Sequence, residues 1–142
     1  ANVRTAQAAQ TGLAKALEMA VEMRKKESSR LTGLRNYTIA KIIEEIPDSS
    51  LNGDLENRLP NNINICFPKT DSEFLVIKLD TLGFAVSAAS ACQNLGLENS
   101  SFVLEAIGKK ECAGSSLRIT MGRETKKRDL NKLIMVLRRL IK

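Results

Sequence analysis

The sequence predicts an α+β fold in which helices cover a small mixed sheet, preceded by a long N-terminal helix. Apolar residues recur every three or four positions along residues 3–46 and 128–141, as expected for amphipathic helices. Strands are indicated by short apolar segments at 63–67, 84–86 and 116–121. These segments are bounded by turn residues or alternate apolar with polar positions. Because these strands alternate with helical segments, and 142 residues suit one domain, the pattern favours helices packed over one sheet.

The first helix is predicted over residues 3–46. A polar stretch at 25–30 fits either an exposed part of one continuous helix or a break between two helices. Pro47 ends the helix, because proline lacks the backbone N–H that the next turn would need. Residues 48–54 then have the composition of a turn, and 55–59 fit either a short strand or a loop.

The second half of the chain alternates short helices with short strands. Asp71 or Ser72 caps a helix that ends at Gly83, and its predicted buried positions are Leu75, Val76, Leu79 and Leu82. After the strand at 84–86, a loop of small and polar residues is predicted at 87–99. Serines cap the short helix that follows, and a glycine ends it.

Composition argues against several classes of protein. Hydrophobic residues make up 43% of the chain, which is too many for a disordered protein. No apolar run approaches the ~20 residues of a membrane-spanning helix, and the N-terminus has no secretory signal. We therefore expect a cytoplasmic protein without a membrane partner, with an organellar matrix as the alternative compartment.

The net charge of +6 raises the question of nucleic-acid binding. The basic residues are spread along the chain, with clusters at 24–26, 126–128 and 138–139. One tyrosine, four phenylalanines and no tryptophan leave few side chains on which bases can stack. Nucleic acid is therefore not an expected partner, and solvated helix faces explain the charge better.

The three cysteines are few and widely spaced. An odd number at such spacing argues against a disulfide framework. With no histidine and no pair of cysteines two residues apart, we expect no metal site and no serine–histidine or cysteine–histidine catalysis. Cys66, in a predicted strand, is expected in the core, and Cys112, in a polar loop, is expected to be a surface thiol.

Two residues are candidates for chemistry. Cys92 follows a run of small residues that would let a loop carry its thiol into a cleft, where a thiolate is a nucleophile. The alternative is that Cys92 is a small buried hydrophobic residue. Arg118 lies among apolar residues of a predicted strand, and its guanidinium suits a carboxylate ligand. The alternative for Arg118 is a salt bridge within the domain.

Several segments, in order along the chain, resemble the cysteine desulfurases, a branch of the class V aminotransferase-like enzymes that use pyridoxal phosphate (PLP). Residues 2–3 and 12–18 are similar to the long helix that leads into the family's small domain, and residues 59–65 to the segment that opens its sheet. Residues 82–92 are similar to the catalytic-cysteine segment, and residues 97–104 to the part that follows it. Residues 114–123 are similar to the strand that binds the substrate carboxylate. The resemblance implies that residues 1–142 form a single C-terminal small domain of a fold-type I PLP enzyme.

The resemblance also implies a reaction. Cys92 would take sulfur from L-cysteine as an enzyme persulfide, leaving L-alanine, and Arg118 would bind the substrate carboxylate. The sulfur would pass to an acceptor such as an iron–sulfur scaffold protein. In the family, the PLP lysine lies in a histidine–lysine segment of the large domain, and this chain has no histidine and no such segment. The resemblance therefore implies PLP in the complete homodimeric enzyme, and neither PLP binding nor activity in this chain alone.

Some points stay open. Where the family usually has serine and glycine before the cysteine, this chain has Ala88 and Ala89, which predicts a stiffer loop. A selenocysteine lyase or cysteine-sulfinate desulfinase of the same fold is one alternative. A non-enzymatic sulfur carrier or scaffold-binding module is another, and it would use the basic C-terminal helix around Lys126, Lys127 and Arg128.

Overall fold

A computed structural model of the chain describes residues 2–88 and 101–141, without the side chain of Asn2. The elements in these ranges are α1 (Asn2–Glu45), β1 (Ser50–Leu51), β2 (Asn62–Cys66), α2 (Ser72–Thr81), β3 (Ser87–Ala88), α3 (Phe102–Ala106), a 3₁₀ helix (Lys110–Cys112), β4 (Ser116–Thr120) and α4 (Lys127–Leu140). The predicted α+β class and the long N-terminal helix are therefore confirmed.

The described strands form one four-stranded sheet in the order β1-β2-β4-β3. All of its described pairings are antiparallel, so the prediction of a mixed sheet was wrong. The central pair is β2 with β4, running from Asn62 opposite Thr120 to Cys66 opposite Ser116. Sequence patterns locate strands but not their direction, because direction depends on how the connections return through space.

One face of the sheet packs against α1, α2 and α4. Alternate residues of a strand point to the same face, which places Ile63, Ile65, Leu117 and Ile119 in this core. The helices contribute buried residues at helical spacing: Leu31, Ile39 and Ile42 from α1, Leu75 and Leu79 from α2, and Leu130, Leu133, Ile134 and Leu137 from α4.

Both ends of α2 follow the predicted capping. Asp71, rather than Ser72, is the N-cap, and its Oδ1 accepts from the backbone N–H groups of Glu73 and Phe74 at 2.9 and 3.0 Å. Gly83, with φ of 82°, ends the helix, and the Phe84 N–H donates to the Leu79 carbonyl at 2.9 Å.

Three predicted local assignments were wrong. The strand expected at 84–86 lies instead at Ser87–Ala88, because Phe84 serves the helix end and pairing with β4 begins at Ser87. Leu82 is exposed, since it lies beyond the last turn of α2. The turn predicted at 48–54 contains the two-residue strand β1, which forms through pairing with distant β2. Such pairing leaves no local signal in two residues.

The helix α1 is continuous through the polar stretch at 25–30 and is about 66 Å long. Its buried residues begin at Leu31. In the preceding part, Leu13, Leu17 and Val21 are 72%, 63% and 59% exposed, and their spacing of four places them along one side of the helix. We call these three residues the α1 stripe. Neither α1 nor any other described helix is long and apolar enough to cross a membrane.

Candidate functional site

Arg118 lies on the face of the sheet opposite the core. Its β4 neighbours Leu117 and Ile119 point into the core, so strand alternation exposes the side chain between them. The Arg118 Nη2 donates to Ser87 Oγ at 3.3 Å, across the β3–β4 pair. Among the described residues, no carboxylate lies within the 4.0 Å ion-pair distance of Arg118, so none of these residues forms a salt bridge with it.

Arg118 stands in the middle of a polar row that crosses three strands. Asn64 of β2 is opposite it on one side, and Ser87 of β3 is opposite it on the other. Asn62 and Thr120 form the next opposed pair on the same face. The row therefore surrounds one exposed guanidinium with hydroxyl and amide groups, which suits a small ligand bearing a carboxylate.

The buried side chain of Asn52, which its sequence context did not single out, supports this row. Asn52 is 2% exposed, and its Nδ2 donates to Asn64 Oδ1 at 2.9 Å and to Ser116 Oγ at 2.8 Å. The Ser116 hydroxyl donates in turn to the Cys112 carbonyl at 2.7 Å. Asn52 precedes Gly53 in a segment of turn composition, so its sequence context indicated a turn rather than a buried hydrogen-bond donor.

The far end of this face is covered by α3 and the 3₁₀ helix. Cys66 and Cys112 form a disulfide there, with their Cα atoms 5.5 Å apart, and Leu104 packs against both. The expectation of no disulfide was therefore wrong, as was the surface position predicted for Cys112, which is 3% exposed. The predicted burial of Cys66 is confirmed, although on the face away from the main core. Pairing of β2 with β4 brings together two cysteines separated by 46 positions, which local spacing does not reveal.

Cys92 lies outside the described residues. On its N-terminal side, the last described residue is Ala88, which is paired with Leu117 beside Arg118. On its C-terminal side, the first is Ser101, the N-cap of α3, whose hydroxyl accepts from the Leu104 N–H at 3.4 Å. In sequence, Cys92 thus follows by four residues the strand that contacts Arg118.

The described residues do not form a site for PLP. A lysine that carries this cofactor is held in a desolvated pocket, whereas every described lysine is at least partly exposed. Lys126 and Lys127 do line a groove, but it lies on the helical side of the sheet and not beside Arg118. Within the described ranges, no three potential metal ligands lie together.

Three similar proteins found by sequence comparison carry the same family name. No protein-family model matches the chain. Cysteine desulfurase IscS of Dictyoglomus turgidum is 45% identical over 131 residues, covering 92% of this chain and 33% of that protein. Cysteine desulfurase IscS of Clostridium botulinum is 37% identical over 133 residues, covering 92% and 34%. The protein of the same name from Neisseria meningitidis is 42% identical over 115 residues, covering 80% and 28%.

Solved structures agree with the fold. A NifS-like protein superposes with a TM-score of 0.76 at 21% identity, over 92% of this chain and 32% of that one. The NifS-like protein of Rickettsia africae gives 0.63 at 25% identity, over 80% and 28%. The chain thus spans about a third of the length of these relatives. Over that span, the chain belongs to the cysteine desulfurase family.

Proposed function

We propose that this chain is the C-terminal small domain of a longer cysteine desulfurase, which takes sulfur from L-cysteine onto Cys92 and releases L-alanine. The observation that carries the proposal is 45% identity to a cysteine desulfurase over 92% of the chain. PLP, held by parts of the protein outside this chain, would supply the electron sink. We also propose that the complete enzyme is a cytoplasmic homodimer that passes its sulfur to an iron–sulfur scaffold protein.

Arg118 is proposed to bind the carboxylate of L-cysteine. Its support is an exposed guanidinium with no carboxylate partner among the described residues. The contact with Ser87 Oγ uses Nη2 and helps to orient the planar group. A guanidinium of fixed orientation donates two parallel hydrogen bonds to one carboxylate, which positions the rest of the amino acid.

Cys92 is proposed to be the nucleophile. Its thiolate attacks the substrate sulfur, so that a sulfur–sulfur bond forms while the substrate carbon–sulfur bond breaks. The electron pair of the broken bond goes to the substrate carbon, which takes up a proton and leaves as L-alanine. The persulfide left on Cys92 then passes its outer sulfur to the thiolate of an acceptor, which regenerates the Cys92 thiolate.

The carboxylate assignment predicts a large kinetic effect for Arg118→Ala in the complete protein. Loss of a bidentate, charge-assisted contact is expected to lower kcat/KM for L-cysteine by about 30- to 150-fold, which corresponds to about 2–3 kcal/mol. Arg118→Lys is the matched control, because it keeps the charge without the planar fork and should recover part of the loss. Since Arg118 is exposed, both variants should unfold at the wild-type temperature. Wild-type kinetics in Arg118→Ala would reject this role.

The α1 stripe is proposed to pack against the remainder of the complete protein. Leu13, Leu17 and Val21 leave apolar surface exposed on a helix whose C-terminal part is already packed. Relatives about three times as long offer ample chain to cover it.

This packing predicts that substitutions in the α1 stripe lower the stability of the complete protein but not that of the 142-residue chain. Leu13→Gln with Leu17→Gln should leave unfolding of the 142-residue chain nearly unchanged, because both side chains are exposed there. In the complete protein, the same pair should lower the free energy of unfolding by about 1.5–3 kcal/mol per leucine. Urea unfolding of both forms measures this, and Lys15→Gln on the same exposed helix serves as control. Equal stability of the complete protein and its double variant would contradict the proposed packing.

A further inference from the structure

A groove of about 450 Å³ lies between α1 and the beginning of α4. Its lining includes Gly33, Leu34 and Tyr37 of α1, which we call the floor, and Arg30, Lys126 and Lys127, which we call the rim. The groove is on the helical side of the sheet, whereas Arg118 is on the other side. A ligand in the groove would therefore leave the proposed substrate face open.

The floor of the groove is apolar and open. Gly33 lies on a helix, and a Cβ atom placed on it would meet nothing within 4 Å, so there is room for a side chain of a ligand. Beside it, Leu34 is half-buried. The Tyr37 hydroxyl donates to Asn131 Oδ1 at 2.7 Å, which orients the ring within the floor. The floor thus offers apolar surface with free space above Gly33.

The rim is positively charged. Lys126 and Lys127 are exposed, and no carboxylate of the described residues lies within 4.0 Å of either amine. The Lys127 Nζ lies 4.0 Å from the centre of the Tyr37 ring. Arg30 is already engaged: it donates to Glu27 and to the Thr125 carbonyl at 2.6 and 2.8 Å. The hydrogen bond from Arg30 lowers the pKa of Glu27, so the Arg30–Glu27 pair stays ionised and its two charges offset each other.

The N-terminus of α4 adds to this positive potential. Its N-cap is Lys126, which has no side chain able to accept hydrogen bonds from the first-turn N–H groups. The nearest acid, Asp129, accepts from the Lys126 N–H at 3.1 Å and lies 3.4 Å from the Arg128 Nε. The Asp129 N–H donates to the Lys126 carbonyl at 3.0 Å. The backbone N–H groups of Lys127 and Arg128, at the positive end of the helix dipole, are therefore the ones that favour an anionic group beside the two lysines.

We propose that this groove binds an acidic segment of a partner protein. The carboxylates of the segment would lie against Lys126, Lys127 and the N-terminus of α4, and an apolar side chain between them would lie over Gly33. Charge complementarity argues for an acidic segment, and the apolar floor argues for a peptide rather than an inorganic anion. The Lys127 amine covers one face of the Tyr37 ring, and this occupied face is not available for stacking with a nucleobase.

The test is a binding titration with a defined probe. The probe is a fluorescein-labelled synthetic peptide of alternating glutamate and leucine, and the measurement is its anisotropy with the 142-residue chain. We expect saturable binding that weakens about tenfold in Lys126→Gln with Lys127→Gln, and about tenfold in Gly33→Leu, which fills the floor. Gly12→Leu is the matched control, because Gly12 is also an open helical glycine of α1 but lies outside the groove. Its affinity should equal that of the wild type.

Four results would overturn the proposal. The first is wild-type affinity in the double lysine variant or in Gly33→Leu. The second is equal binding of a glutamate-only peptide, which would show that the floor is not used. The third is equal competition by inorganic phosphate or a single-stranded oligonucleotide. The fourth is binding to this chain that disappears in the complete protein, which would mean that the protein itself fills the groove. None of these results bears on Cys92 or Arg118, so the desulfurase proposal is tested separately.

Discussion

Cys92→Ser in the complete protein is expected to abolish the transfer of sulfur from L-cysteine, lowering L-alanine release by about 10³-fold or more. Serine keeps the size of the side chain, but its hydroxyl is not ionised near neutral pH and forms no persulfide. Two measurements check this result: the rate of L-alanine release, and the intact mass after incubation with L-cysteine. In the wild type, the mass should rise by that of one sulfur atom, and in Cys92→Ser it should not.

Labelling of thiols provides the control for this assignment. Because Cys66 and Cys112 are joined, a thiol-alkylating reagent without reductant is expected to modify Cys92 alone among the three cysteines. In the 142-residue chain, Cys92→Ser should then take up no label, while Arg118→Ala should be labelled like the wild type. A persulfide found on another cysteine, or undiminished L-alanine release in Cys92→Ser, would exclude Cys92 as the sulfur carrier.

Reduction of the Cys66–Cys112 disulfide is expected to destabilise the chain by about 2–4 kcal/mol. The bond closes a loop between residues 46 positions apart, so its loss frees many conformations of the unfolded chain. It also joins the 3₁₀ helix to β2 and packs with Leu104 of α3, so these short helices should exchange their backbone amides faster once it is reduced. Urea unfolding with and without reductant, together with hydrogen exchange, measures both effects.

Two variants keep this second prediction interpretable. Cys66→Ala with Cys112→Ala should show the lower stability without reductant and no further response when reductant is added. Cys92→Ser should respond to reductant as the wild type does, because Cys92 takes no part in the bond. Equal unfolding of the wild type in both conditions would mean that the disulfide contributes nothing to the stability of the fold. Ser101, the N-cap of α3, follows the segment that contains Cys92. Because Leu104 of α3 lies in one buried cluster with the two bonded cysteines, the disulfide also supports the chain on that side of the segment.

Local sequence signals were sufficient to predict a helix end wherever one residue determines the local backbone conformation. The neighbouring Asp71 and Ser72 predicted the start of α2, where the Asp71 carboxylate accepts from two first-turn N–H groups. Gly83 predicted the end, because the chain there requires a positive φ. The period of the apolar residues in α4 predicted its buried side, as Leu133 and Leu137 show. Edge strands had no comparable signal, so β1 was missed and β3 was placed too early.

By itself, the sequence determined the α+β class, the long first helix, the helix caps and, through the resemblance that the comparisons confirmed, the family. Tertiary structure alone decided that every described strand pair is antiparallel, that Asn52 supports the row around Arg118, and that Cys112 is buried against Cys66. The physical reason is the separation along the chain over which each interaction acts. Caps and periodicity act within one or two turns, whereas the direction of pairing, burial of a loop residue and contact between distant cysteines depend on the register of β2 with β4.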